Sequence, residues 1–200
     1  MDNIEREILE VDVLFVGAGP ASLAGALQLK NNLKSSGSDI SIAIIEKASE
    51  VGAHSLSGAV VDPISLNELF PTLTNEDFPF EHQVSKEYMY YLTARSKLSV
   101  PYIPNSMSHH GCYITSIGKL TRWLEKRCEE NDIDVFAGFP GSDILFDESG
   151  KRVTGVRTSD RGIDKNGNHK AEYEPGVDIQ AKVTIFGEGS RGNLTKKLIN

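Results

Sequence analysis

The chain opens with a short, almost uninterrupted apolar run, Val11-Asp12-Val13-Leu14-Phe15-Val16, that stops at Gly17. A β-branched run without alternation predicts a parallel strand buried on both faces. From Ala21 to about Lys34 helix formers take over, and Leu23, Ala26, Leu27 and Leu33 fall on one face at helical spacing. Asn31 to Asp39 is a polar connection, and Ile40 to Ile45 predicts a second buried strand closed by Glu46. Strand, glycine turn, helix and strand together make a βαβ unit.

Between Val51 and Asn105 no period is sustained, and Pro63, Pro71, Pro79, Pro101 and Pro104 interrupt the chain. Only Val84 to Thr93 and Leu98 to Ile103 are strand-like there, and so long an irregular excursion is expected to carry function. Order returns with Ile117, Leu120, Trp123, Leu124 and Cys128, an amphipathic helix with Ser116 placed as its N-cap. Asp134 to Phe139, Asp143 to Phe146 and Arg152 to Thr158 predict three short strands, and Asp160 to Lys170 a polar hairpin tip. Val177 to Phe186 is a last apolar strand, followed by Gly187-Glu188-Gly189 and a helix start over Asn193 to Ile199. The expected fold is α/β, a Rossmann-like domain on a parallel sheet.

Composition narrows the function. With 28 acidic against 21 basic side chains the net charge is −7, which argues against a nucleic-acid surface, since that needs a basic face to release counterions. Cys112 and Cys128 are too few for a disulfide framework and too far apart to share a C-x-x-C metal site. Asp2, Glu5, Glu7 and Glu10 precede the first apolar run, unlike a secretory or mitochondrial leader, so a cytoplasmic bacterial protein or a processed chain is expected. No apolar stretch approaches the ~20 residues that span a bilayer, so membrane contact is expected from one side only.

The strongest chemical signal is Gly17-Ala18-Gly19-Pro20-Ala21-Ser22, set between a strand and a helix. There a dinucleotide pyrophosphate rests on backbone N–H groups at the helix N-terminus; Gly17 makes the turn, and Gly19 removes the Cβ from the phosphate path. Ser22 stands where the fingerprint has Gly or Ala. Glu46, with Lys47 beside it, closes the second strand, where a carboxylate accepts from an adenosine ribose and repels the 2′-phosphate of NADP. The second glycine site, Phe186-Gly187-Glu188-Gly189-Ser190-Arg191-Gly192, tips the balance from NAD to FAD, whose ribityl chain needs another close backbone approach. Other signals fail. Asp164 to Asn168 begins like a calcium loop, but Pro175 stands where the bidentate Glu belongs; His109-His110 lacks partners at ligand spacing; Asn193-Leu194-Thr195 is a sequon without a secretory route. No Ser-His-Asp arrangement is recognisable, and no catalytic or metal-ligating residue is assigned.

Longer motifs add a resemblance. Gly52-Ala53-His54-Ser55-Leu56-Ser57-Gly58-Ala59-Val60-Val61-Asp62-Pro63, then Glu68-Leu69-Phe70-Pro71, His110-Gly111-Cys112-Tyr113-Ile114, and Ala181 to Gly189 resemble the electron transfer flavoprotein–ubiquinone oxidoreductase family, from about Val11 onward. Two departures are Ser22 for a usual Gly, and Cys112 where typical members carry Asn after the glycine. The resemblance implies an FAD-dependent oxidoreductase of the respiratory chain that passes electrons from reduced electron transfer flavoprotein to ubiquinone. It implies a peripheral position on the cytoplasmic side of a bacterial inner membrane, or on the mitochondrial inner membrane. By its pattern Gly17, Gly19, Pro20 and Ala21 hold the pyrophosphate, Glu46 and Lys47 the ribose side, His54, Ser55, Leu56, Ser57 and Gly58 lie near the isoalloxazine, and Gly187, Glu188 and Gly189 near the ribityl chain. The family's [4Fe-4S] ligands and most of its quinone site would lie beyond this chain, so residues 1–200 are expected to be a truncated FAD-binding portion with the beginning of a second, quinone- and membrane-facing α+β region. Residues 52–105 are then an irregular insertion facing flavin, quinone and membrane, in which Gly58 to Phe70, including Leu69 and Phe70, reaches the lipid. A flavin monooxygenase, a geranylgeranyl-reductase-like enzyme or an inactive FAD-binding module would show the same glycine sites.

Overall fold

In chain order the elements are β1 (Ile8–Val16), α1 (Pro20–Ser36), β2 (Ile42–Glu46), β3 (Ala59–Val61), α2 (Ile64–Leu69), β4 (Phe80–Gln83), β5 (Met89–Leu92), β6 (Lys97–Val100) and β7 (Tyr113–Thr115). Then follow α3 (Ile117–Glu129), β8 (Asp134–Ala137), β9 (Gly141–Phe146), β10 (Val153–Thr158), β11 (Arg161–Ile163), β12 (His169–Glu174), β13 (Asp178–Phe186) and α4 (Asn193–Ile199). The computed structural model describes residues 5–56, 58–165 and 167–199. They form two units, one from the segments 1–55 and 121–200, the other from 56–120.

The first unit is built on β1. Val13, Leu14, Phe15 and Val16 are all buried, which puts both faces of the strand inside. β1 pairs in parallel with β2 on one side and β13 on the other, and β8 adds in parallel outside β2. β10 and β9 continue antiparallel beyond β13, giving the order β8-β2-β1-β13-β10-β9. The β1–β13 register runs from Ile8↔Asp178 to Val16↔Phe186, so the two strands end level and deliver Gly17 and Gly187 side by side. From β1 the chain crosses to β2 on one side, while β13 arrives on the other; ligands of open α/β sheets bind at such a switch point.

α1 begins at Pro20, whose fixed φ suits a first helical turn. It ends at Gly37, left-handed at φ 67°, whose N–H donates to the Leu33 and Lys34 carbonyls. Its buried face is Ser22, Leu23, Ala26, Leu27 and Lys30, where the sequence pattern had Leu33 instead of the two polar residues. One core cluster joins Leu14, Val16, Ala43, Ile45, Val156, Ile179 and Leu194, locking α4 to the sheet. α3 matches expectation: Ser116 Oγ accepts the Lys119 N–H at 3.5 Å, and Leu120, Leu124 and Cys128 are buried. The tip over Asp160 to Lys170 belongs to a hairpin of β11 and β12 that reaches Glu174. Arg6 clamps its base, forming an ion pair with Asp160, which also accepts from the Tyr173 hydroxyl and the Gly176 N–H.

The stretch 52–105, expected to be irregular, carries four short strands and a helix, all of them in the second unit. β3, β7 and β4 form an antiparallel sheet; β5 and β6 form a separate hairpin. Phe80 stacks on Tyr113 with centroids 4.6 Å apart, Phe78 packs on Phe80 at 5.4 Å, and Thr115 Oγ1 donates to the Pro79 carbonyl at 2.7 Å. The expectation that Leu69 faces lipid is corrected here. Leu66 and Leu69 lie on the inner side of α2 and are buried, whereas Val60 and Ile64 are exposed. The helical period of α2, masked in the sequence by the flanking prolines, divides the apolar residues of this segment between inside and outside.

Candidate functional site

At the carboxyl ends of β1, β2 and β13 lies a cleft of about 470 Å³. Its walls come from both glycine turns, from Glu46 and Lys47 after β2, from Gly52, His54 and Ser55, from Phe139 to Gly141, and from Arg191 to Asn193. All belong to the first unit.

Three backbone arrangements shape it. Gly17 adopts φ +97°, and a Cβ there would stand 2.8 Å from the Gly187 carbonyl oxygen, so the two turns touch through bare backbone. The Gly17 N–H donates to the Ile45 carbonyl at 2.8 Å and the Gly187 N–H to the Val16 carbonyl at 2.9 Å, extending the sheet to the lip of the cleft. A Cβ on Gly19 or on Gly189 would meet no atom within 4 Å, so at both glycines the space beside the backbone is open.

The two acids do different work. Glu46 receives the Ala18 N–H on Oε2 and the Ala48 N–H on Oε1, both at 2.9 Å, tying the glycine turn to the end of β2. Each oxygen keeps a lone pair for a further donor. Glu188 turns away to the start of α4, where it accepts from the N–H groups of Asn193, Leu194 and Thr195 and from the Thr195 hydroxyl, at 2.7–3.2 Å. Burial alone would raise its pKa, but these donors hold the carboxyl below the usual range. The helix would otherwise begin with unsatisfied N–H groups. The cations on the walls, Lys47 and Arg191, have no ion-pair partner among the described residues.

Of the residues singled out in the sequence, Gly17, Gly19, Glu46, Lys47, His54, Ser55, Gly187, Glu188 and Gly189 meet in this cleft. Pro20 and Ala21 open α1 without contributing to its walls. Leu56, 86% exposed, and Gly58 belong to the second unit, and Ser57 lies outside the described residues. Sequence reasoning carried Gly52 and Arg191 only inside longer motifs, and it missed Phe139 to Gly141 as cleft walls. The last could have been found by pairing β8 with β2, because loops after parallel strands converge on the switch point.

The strand order and paired glycine turns define a Rossmann-type α/β fold, and solved structures share it. The chain superposes on a myxobacterial chondrochloren halogenase, a variant of the FAD-dependent halogenases, with TM-score 0.60 and 16% identity over 94% of this chain and 39% of that one. A flavin-dependent monooxygenase solved with FAD and substrate gives 0.59 and 15%, over 95% and 32% of the two chains. A geranylgeranyl bacteriochlorophyll reductase-like protein from Thermoplasma acidophilum gives 0.57 and 19%, over 90% and 39%. The chain therefore shares its fold with these three proteins.

Sequence relatives are more specific. The electron transfer flavoprotein-ubiquinone oxidoreductase of Pseudomonas aeruginosa is 44% identical over 200 residues, 98% of this chain and 36% of that protein. The mitochondrial protein of the same name from Homo sapiens is 40% identical over 197 residues, 98% and 32% of the two. By sequence the chain is a homologue of electron transfer flavoprotein-ubiquinone oxidoreductase. It spans about a third of the length of the curated relatives it matches. No protein-family profile matches it.

Proposed function

We propose that the first unit binds FAD in the cleft at the ends of β1, β2 and β13, and that the protein it serves is a flavoprotein oxidoreductase taking electrons from electron transfer flavoprotein to ubiquinone. The observation that carries the binding is the open space beside Gly19 and Gly189, at the ends of strands whose register sets the two glycine turns next to one another. A pyrophosphate lies over the Gly17 turn against the N-terminus of α1, whose free N–H groups and dipole favour an anion. Glu46, already fixed by two backbone donors, accepts the ribose hydroxyls. The space beside Gly189 takes the ribityl chain, and Lys47 and Arg191 balance the phosphate charge. When bound, FAD supplies the redox chemistry, while the chain holds and orients it. His54 and Ser55 stand on the wall as its polar neighbours.

The two-carrier function is supported by relatives at 40–44% identity that bear the name, against 15–19% for the halogenase, monooxygenase and reductase-like folds. In this reading the expected [4Fe-4S] cluster and most of the quinone pocket are assigned to the portion of such proteins that this chain does not span. A peripheral membrane contact fits a chain in which no described helix is long and apolar enough to cross a bilayer. In the second unit the side chains suited to it are Leu56, Val60 and Ile64, which are exposed, and not Leu69.

The test is a fluorescence titration of the chain with FAD, FMN and NADH. FAD is expected to bind, and FMN and NADH at least tenfold more weakly, because neither fills both glycine sites. Equal affinity for FMN and FAD would refute the two-site reading.

A further inference from the structure

β5 and β6 pair only with each other among the described strands, and their register sorts side chains by face. Met89, Val100, Tyr91 and Leu98 share one face; Tyr90, Ser99, Leu92 and Lys97 share the other, where Lys97 lies 4.5 Å over the Tyr90 ring. The first face is wholly apolar and unevenly covered. Met89 and Val100 are half-buried, but the directly opposed pair Tyr91 and Leu98 is 66% and 60% exposed. A two-stranded hairpin is marginal in water by itself, and an amphipathic sheet is stable when its apolar face is packed.

We infer that the Tyr91–Leu98 face is a docking surface for polypeptide, and that its occupant is the part of the protein that the relatives carry outside the third matched by this chain. Length points to the occupant: the Pseudomonas aeruginosa relative has nearly two thirds of its residues outside the matched region, against 200 matched. Chemistry points to a protein layer over a lipid. The opposite face sets Lys97 and Ser99 beside Tyr90 and the exposed Leu92, so a charge stands on it, and a hairpin inserted in hydrocarbon would leave the outer N–H and C=O groups of both strands without partners. A protein layer instead covers one face and can add a strand to an open edge.

The chain is co-expressed with the remaining polypeptide of the Pseudomonas aeruginosa relative, carrying an affinity tag, and the amides of residues 89–92 and 97–100 are followed by hydrogen exchange. Co-purification is expected, with exchange at these amides slowed at least tenfold relative to the chain alone. Tyr91→Lys together with Leu98→Lys should abolish co-purification while leaving the melting temperature of the isolated chain within about two degrees, since both side chains are exposed there. Absence of a complex, a complex indifferent to the double substitution, or protection conferred only by anionic phosphatidylglycerol vesicles would each overturn the inference.

Discussion

Ser22 Oγ stands 2.0 Å from the point where a Cβ on Gly187 would be, so the first turn of α1 and the end of β13 share space that holds one hydroxyl and no second side chain. The same Ser22 Oγ is buried without a hydrogen-bond partner. Both facts come from one departure, the serine at the third fingerprint position. Gly187→Ala is expected to destabilise the chain by about 1–3 kcal/mol through overpacking. Ser22→Gly in the same background should recover about 1 kcal/mol or more of that loss. Urea unfolding of the two single variants and the double variant measures the coupling, and strictly additive effects would show that the turns do not meet.

Glu188 is expected to act first on stability. Glu188→Ala leaves three N–H groups of α4 without their acceptor and should cost about 0.5–2 kcal/mol. If α4 is capped by other means, the unfolding midpoint will not move.

Acid should loosen the chain in a defined window. Hydrogen bonding from Arg6 holds the Asp160 carboxyl well below its ordinary value, and the Lys182 ammonium with Ser41 holds Asp12 at about 2. Carboxylates depressed in the folded state add stability that is fully present above their unfolded values, near pH 4, and is lost as pH falls through the folded values. Urea midpoints should therefore fall steadily from about pH 4 toward pH 2. Asp160→Asn should lower the midpoint at neutral pH and flatten that acid slope; an unchanged slope would remove Asp160 from the account.

The two thiols should differ in reactivity. Burial pushes Cys128 up to about 12, and its Sγ points at the Leu23 carbonyl, so the thiolate needed for attack is absent at neutral pH. Cys112 is only partly covered. In Ellman titration of the native chain Cys128 should react only after unfolding, and rapid modification of both cysteines would contradict this burial.

Legibility in the sequence followed burial. β1 and β2 could be read because strands covered on both faces need apolar residues at every position, and α3 because one face of a helix repeats at a fixed spacing. β3, β4 and β7 are three or four residues long, too short for a period to show, and β12 is almost entirely exposed. Among the cleft walls, Gly17, Gly19 and Glu46 could be placed because they lie within one βαβ unit. The role of Glu188 could not, because its acceptors and donors meet only when the chain after Gly189 folds back through a turn. Leu69 was misread because a helix of six residues between prolines resembles an irregular apolar stretch.

The central claim rests on Gly19, where the fold leaves room that only the cofactor should need. Because a side chain there meets nothing in the folded chain and φ is −74°, Gly19→Val should melt close to the unsubstituted chain. Its FAD affinity, measured by flavin fluorescence quenching, should nonetheless fall by a hundredfold or more, the loss of about 2.7 kcal/mol. A Gly19→Val chain that is normally folded and binds FAD as tightly as the original would contradict the placement of the pyrophosphate and, with it, the proposed site.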